Sequence, residues 1–134
     1  MKLRIRGNSI RLRVSKTELA KIAAKGAAED CVRFSSATEL RYGIDVRPSG
    51  AVTASFDATS IRVALPKSRL DLWLRPDEVS VEGSQPIGGG KVLQILLEKD
   101  YTCLAPRAGE DDSDLFVNPV NAKGHKSKAK AKAR

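Results

Sequence analysis

Residues 1–26 read MKLRIRGNSIRLRVSKTELAKIAAKG. Basic and apolar residues alternate on both sides of the Gly7-Asn8 pair, and this pattern indicates a β-hairpin. A two-residue loop sets the register, so we expect Arg4 opposite Arg11 and Lys2 opposite Arg13. The hairpin and the segment that follows it decide how the rest of the chain is organised.

Side chains of a strand point alternately to opposite faces, so the hairpin has one apolar face and one basic face. The apolar face carries Leu3, Ile5, Ile10 and Leu12, and the basic face carries Lys2, Arg4, Arg6, Arg11 and Arg13. Like charges directly opposite each other are destabilising, so the basic face needs compensation. A polyanion is one source, because the planar guanidinium matches phosphate oxygens.

The chain itself can also supply the compensation. Residues 91–100 carry apolar residues on both faces, as expected of a central strand, and we place this strand beside the hairpin. If Glu98 or Asp100 lies next to the arginines, internal neutralisation explains the basic face. Solvation, with the arginine stems lying on apolar surface, is the remaining alternative.

Residues 15–26 predict a helix with a clear start and end. Ser15 and Glu18 form a capping box, and Val14 and Leu19 occupy the positions of a hydrophobic staple. Gly26 is placed to end the helix. The hairpin therefore passes directly into a helix that packs back on it.

Apolar and polar residues alternate with period two in five more runs. These runs predict the strands 30–35, 39–47, 52–56, 61–65 and 78–82. Pro66 starts a second, short helix, in which Trp73 is expected to be a core residue. Residues 83–90 are turn-rich and predict a flexible hairpin connection. The expected fold class is α+β: a twisted, mainly antiparallel sheet of about seven strands, with closure toward a barrel as one variant, and two helices packed on it.

Charge and composition predict one globular domain, residues 1–121, and a disordered lysine-rich tail, residues 122–134. The net charge of the chain is +8, and most of it comes from the tail. The tail is a candidate electrostatic arm for nucleic acid, or else a solubilising segment. Its candidate contacts are Lys126, Lys128, Lys130, Lys132 and Arg134.

The composition of the chain limits the cellular locations and the kinds of chemistry to expect. Two cysteines, no signal-like start and no long apolar run predict a cytoplasmic protein with no membrane span. The single histidine, His125, lies in the tail, so we expect no histidine-dependent nucleophile or zinc site, no cofactor and no enzymatic activity. The acidic run from Glu110 to Asp114 lacks the spacing of a calcium loop and indicates a solvated loop or a counter-charge for the arginines.

Two blocks carry a resemblance. They are the opening segment 4–13, RIRGNSIRLR, and a closing segment with EKDYTCL at 98–104, Pro106-Arg107, EDDSD at 110–114 and Asn118-Pro119. The chain resembles a family of short uncharacterised bacterial proteins, and this resemblance implies a domain of unknown function without naming a substrate.

The leading functional hypothesis is a non-enzymatic binding domain for an anionic partner, such as nucleic acid or polyphosphate. The aromatic residues occupy apparent core positions, so base stacking is not expected. The alternatives are an adaptor for an acidic protein and a metal-assisted phosphate-handling enzyme.

Overall fold

The chain is described by a computed structural model over residues 1–101 and 113–117. Within these residues the chain forms two helices and eight strands, and this confirms the α+β class. In chain order the elements are β1 (Lys2–Arg6), β2 (Ser9–Val14), α1 (Lys16–Lys25), β3 (Ala27–Arg33), β4 (Glu39–Arg47), β5 (Thr53–Asp57), β6 (Ser60–Pro66), α2 (Lys67–Trp73), β7 (Ser80–Gly88) and β8 (Lys91–Lys99).

The strands form two four-stranded sheets. The first sheet has the order β1-β2-β8-β7 and the second sheet has the order β3-β4-β6-β5. In each sheet the two central strands are parallel and the outer pairs are antiparallel. The two predicted helices and the mainly antiparallel pairing are confirmed, but the described strands number eight rather than about seven, divide into two mixed sheets and form no closed barrel. Period-two alternation identifies strands and their faces but does not assign them to a sheet.

The first hairpin has the predicted register, with Arg4 opposite Arg11 and Lys2 opposite Arg13. The prediction that the strand of residues 91–100 lies beside this hairpin is also confirmed, because β8 pairs with β2 from Ser9↔Gln94 to Val14↔Lys99. The two strands run parallel, so the chain connects them through most of its length. This pairing joins the first and the last hairpin of the chain in one sheet.

Helix α1 begins and ends at the predicted residues. The Ser15 side chain accepts a hydrogen bond from the Glu18 amide, and the Glu18 carboxylate accepts one from the Ser15 amide. Gly26 ends the helix in the left-handed conformation, at φ 80°. Asp114 adds a further acceptor at the N-terminus, 3.1 Å from the Thr17 amide. The segment 113–117 is thereby attached to the start of α1.

Both sheets and both helices contribute to one hydrophobic core. Helix α1 contributes Leu19 and Ile22, and helix α2 contributes Leu70 and Trp73. Trp73 is fully buried, as predicted, and its indole nitrogen donates a hydrogen bond to the Val79 carbonyl. The sheets contribute the inward-facing residues Leu12, Val14, Ala28, Tyr42, Ile44, Val63, Leu65, Val81, Ile95 and Leu97.

The two halves of the chain repeat the same unit of hairpin, helix and hairpin. The element order β1-β2-α1-β3-β4 is followed by β5-β6-α2-β7-β8, and each parallel pair joins strands from different units. The segments 9–19 and 60–70 align without a gap, and the hairpin turns that precede them share a positive φ, 57° at Gly7 and 50° at Ala58. Identical residues in these segments are Ser9 and Ser60, Ile10 and Ile61, Arg11 and Arg62, Lys16 and Lys67, and Leu19 and Leu70. The molecule is an internal duplicate with a pseudo-two-fold relation.

Strand β7 is longer than predicted and extends to Gly88. The segment from Gly83, expected to be a flexible connection, instead pairs with β8 and packs against β5. A Cβ at Gly83 would lie 2.9 Å from Val52, so glycine is required for this close approach. The Gln85 side chain pairs with both backbone groups of Ala54, at 2.6 and 3.1 Å. Tertiary contacts thus override the turn-forming composition.

The four hairpin turns, at residues 7–8, 34–38, 58–59 and 89–90, define what we call the turn end. Ile5, Phe34 and Phe56 lie there, and all three are largely exposed, so the expectation that the aromatic residues are mostly in the core is wrong for the two phenylalanines. Alternation predicts which face a side chain occupies but not whether another layer covers it. The sheets therefore expose apolar side chains at the turn end.

We predict that replacing Ser15 with Ala lowers the free energy of unfolding by about 1 kcal/mol, because the helix loses its N-cap acceptor. Urea unfolding followed by circular dichroism measures this change. Ser49→Ala, at an exposed loop position whose side chain makes no hydrogen bond within the described residues, is the control and should leave stability unchanged. Equal stability of the two variants would contradict the capping role.

Candidate anion-binding site on the first hairpin

The predicted site residues lie together on the outer face of the first sheet. β1 presents Arg4 and Arg6, and β2 presents Arg11 beside them. They line an open cavity of about 390 Å³, which we call the outer cavity. Its other lining residues are Ser9, Ile10, Glu82, Gln94, Ile95 and Leu96. The first hairpin supplies the arginine side chains of the cavity, and β8 supplies its lining residues from Gln94 to Leu96.

Strand β8 also carries a carboxylate against this face. Glu98 is opposite Arg13 in the register, and its Oε1 lies 3.0 Å from Arg13 Nε and 3.4 Å from Arg11 Nη1. The Asp100 carboxylate lies 2.8 Å from Lys2 Nζ. Internal neutralisation therefore accounts for Lys2, Arg11 and Arg13, although one carboxylate is shared between two guanidinium groups.

The turn-proximal part of the face is different. Arg4 and Arg6 are exposed and make no ion pair with any residue in the described part of the chain. Arg4 is directly opposite Arg11, whose only carboxylate partner among those residues is shared. Glu82 lines the same cavity but forms no ion pair with the described cations. The five predicted residues thus divide into a neutralised group and a group of two free guanidinium groups.

The equivalent surface of the second sheet provides an internal comparison. Arg62 corresponds to Arg11, and it donates two hydrogen bonds to Asp45, at 2.6 and 2.9 Å. It also pairs with Glu29, which in turn accepts a hydrogen bond from Arg41 at 2.8 Å. Carboxylates therefore neutralise the arginines of this surface more completely than those of the first sheet.

The electrostatics of the second sheet follow from these contacts. The hydrogen bond from Arg62 holds the pKa of Asp45 below its ordinary value, and the hydrogen bond from Arg41 does the same for the pKa of Glu29. At the positions of Arg4 and Arg6, this sheet has Ser55 and Asp57. The two halves share a backbone arrangement but differ in charge at the turn end.

Several predicted residues lie outside the described part of the chain. These are Arg134 and the tail lysines Lys126, Lys128, Lys130 and Lys132, with the acidic residues 110–112. Asp114, the described end of the acidic run, accepts a hydrogen bond from the Thr17 hydroxyl at 2.8 Å instead of facing the arginines. That hydrogen bond lowers the pKa of Asp114. Asp114 therefore acts at the start of α1.

Two other features of the described residues concern metal ions and membranes. Within residues 1–101 and 113–117, no three His, Cys, Asp or Glu side chains are grouped so that they could hold a metal ion. Neither of the helices described there has the length and apolarity needed to span a membrane. The outer cavity joins Arg4, Arg6 and Arg11 to a concave surface, and a second cavity of about 200 Å³ is lined by Lys2, Leu3, Arg4, Arg11 and Arg13.

The fold and the site define a small α+β domain built from a duplicated hairpin–helix–hairpin unit with a basic outer cavity. The chain belongs to DUF7009, a family of unknown function whose model matches residues 1–120. This match confirms the resemblance to an uncharacterised family. No curated protein and no solved structure matches the chain.

Sequence reasoning named the arginines but missed part of the cavity wall. Ser9, Gln94 and Glu82 line the cavity, and none of them was singled out beforehand. Gln94 has the same parity as Glu98 on β8, so the strand pattern contained the signal for it. The predicted hairpin connection implies the pairing of β7 with β8, and this pairing is confirmed, but a connection of that length does not fix the register that places Glu82 opposite Leu96.

We predict that Arg62→Gln lowers the free energy of unfolding by about 2 kcal/mol near neutral pH, because hydrogen bonds to charged partners are lost in a half-buried cluster. Since the folded-state pKa of Asp45 is depressed, this stabilisation is present above the ordinary aspartate pKa of about 3.9 and is lost as the pH falls through the folded value. Urea unfolding near neutral pH and in acid measures both effects.

The control for this prediction is Arg75→Gln, an exposed arginine after α2 without an ion pair in the described residues. It should change stability little at either pH. A difference between wild type and Arg62→Gln that stayed constant in acid would contradict the electrostatic origin of the effect.

Proposed function

We propose that this chain is a non-enzymatic binding domain for a polyanion rich in phosphate, such as nucleic acid or polyphosphate. The observation that supports the proposal most strongly is the pair of guanidinium groups at Arg4 and Arg6, exposed beside Arg11 and without an ion pair among the described residues. Arginine presents planar, paired donors that fit phosphate oxygens. The site acts by neutralising charge in an open cavity.

The comparison of the two halves argues for a specific role of this charge. On the second sheet, carboxylates pair the arginine that corresponds to Arg11, because Arg62 contacts both Asp45 and Glu29. The first sheet has unpaired guanidinium groups at the corresponding surface, although like charges across a hairpin are destabilising. An external anion would offset this repulsion between the arginines, and the relief of repulsion would favour binding of the anion.

The surroundings of the arginines suit an extended anion better than a small enclosed one. The outer cavity is open, and its polar side chains, Ser9 and Gln94, can donate to further oxygens. Glu82 limits the site on the β7 side, so the anion path runs along β1. The tail, with five basic residues from Lys126 to Arg134, adds charge-dependent affinity for the same partner.

We predict that Arg4→Gln/Arg6→Gln weakens binding to duplex DNA and to polyphosphate. For duplex DNA, the dependence of log K on log salt should become shallower by about 1.8, because each lost phosphate contact contributes about 0.9. Fluorescence anisotropy across a salt series with the full chain measures this change. The measurement is repeated in a full chain in which the five basic tail residues named above, from Lys126 to Arg134, are replaced by Gln.

The matched control is Arg47→Gln/Arg75→Gln, which removes the same charge from exposed positions at the end of the molecule opposite the turn end. It should leave the salt dependence nearly unchanged. An equal loss in both double variants would show that only net charge matters. Absence of salt-sensitive binding to either polyanion would remove the proposal, and equal competition by polyglutamate would favour an adaptor for an acidic protein.

A further inference from the structure

The turn end contains an apolar groove that the anion site does not use. It lies between the two sheets and has a volume of about 320 Å³. Ile5 and Phe56 line it with 62% and 72% of their surface exposed, although both belong to the apolar faces of their hairpins. Its other lining residues are Ile10, Ala54, Ser55, Ile61 and Leu93. The two sheets are therefore not closed over each other at this end.

More apolar surface lies at the turn end. Val32, Phe34 and Ile87 also lie near the turns of their hairpins and are exposed. Val92 is exposed there too, on the opposite face of β8 from Leu93, which lines the groove. Most large exposed apolar side chains in the described part of the chain are thus found at one end of the molecule. Single exposed apolar residues need no explanation, but a contiguous apolar patch with a polar margin marks an interaction surface.

The internal duplication identifies the kind of partner that fits. Ile5 and Phe56 occupy equivalent positions in β1 and β5, each just before the last residue of its strand. That last residue is Arg6 in one hairpin and Asp57 in the other, and neither has an ion pair among the described residues. The two halves of the turn end therefore carry a large apolar residue at the same strand position and opposite charges at the next one.

A symmetric pair of chains uses this complementarity twice. In a dimer with two-fold symmetry, the same patch serves both protomers, so a contact between one hairpin and the other occurs in duplicate. Placing β1–β2 of one protomer against β5–β6 of its partner sets each arginine against an aspartate. The alternative, with β1–β2 against its own copy, would set Arg6 against Arg6 and is disfavoured.

The chain's own remaining segments do not suit the groove. Tyr101 and Val117, where the described part of the chain ends, lie at the end opposite the turns, next to Val14 and Asp100. Residues 118–134 contain no aromatic residue, leucine, isoleucine or methionine, and residues 102–112 contain one large apolar residue, Leu104. A second copy offers a pair of large apolar side chains, Ile5 and Phe56, which neither segment has.

We infer that the turn end is the interface of a symmetric homodimer. Ile5 and Phe56 of each protomer pack into the groove of the other, and Arg6 pairs with the partner's Asp57. Apolar residues form the centre of the contact and the charged pairs form its margin, as in protein interfaces generally. The two proposals share Arg6: in the dimer the partner's Asp57 pairs with it, and Arg4 beside Arg11 stays in the outer cavity for a polyanion.

The test is sedimentation equilibrium of the full chain from low to high micromolar concentration. The wild-type chain should reach a dimer in this range, and Phe56→Glu should raise the dissociation constant at least about 30-fold, as expected for a central interface residue. Phe56 is largely exposed, so this variant should keep the wild-type circular dichroism spectrum. The matched control is Leu72→Glu, an exposed leucine on α2 that should leave the dimer intact.

Charge exchange tests the orientation. Arg6→Asp and Asp57→Arg should each weaken the dimer, because each puts like charges together, and the double exchange should restore it. A wild-type chain that stays monomeric at high micromolar concentration overturns the inference, as does a Phe56→Glu variant that dimerises normally. A double exchange without recovery overturns the pairing of Arg6 with the partner's Asp57.

Discussion

The parallel pairing of β2 with β8, and of β6 with β4, is the constraint on which the rest of the structure depends. Within each hairpin–helix–hairpin unit the two hairpins lie in different sheets, so the first sheet takes its hairpins from the two ends of the chain and the second takes both from its middle. Parallel strands require a crossover connection. Both helices and the other sheet lie in the connection from β2 to β8, and β5 of the same sheet lies in the connection from β4 to β6.

This constraint explains the electrostatics of the outer faces. A parallel neighbour places Glu98 against Arg13 and Arg11 in one sheet and Asp45 against Arg62 in the other. The same structural position therefore carries an arginine and carboxylate pair in both halves. Where the halves differ, at Arg4 and Arg6 against Ser55 and Asp57, the difference lies outside the reach of these carboxylates. Charge is thus free to vary at the turn end without disturbing the central strands.

Local features were predictable because their determinants are local. The register of the first hairpin follows from Gly7-Asn8, and the limits of α1 follow from Ser15, Glu18 and Gly26. The division into two sheets was not predictable, since alternation is identical whichever sheet a strand joins. Of the candidate site, the arginines were named from the strand pattern and Glu98 was named as their possible partner. The exposure of Phe56 depends on the spacing between sheets, which no single strand encodes.

The two ends of the molecule differ in how far their charged groups are paired and their apolar groups covered. The proposed binding surfaces lie at the turn end. At the end opposite the turns, polar groups are paired: the amino group of Met1 contacts Glu18 and Asp30, and Lys99 donates to the Arg75 carbonyl. Burial lowers the pKa of Lys99, and Phe116 lies 5.5 Å from its ammonium group. At the turn end, by contrast, guanidinium groups and phenylalanine side chains face solvent. Because exposed apolar groups and unpaired like charges both raise the free energy of the isolated chain, contacts with other molecules are favoured at the end where these groups collect.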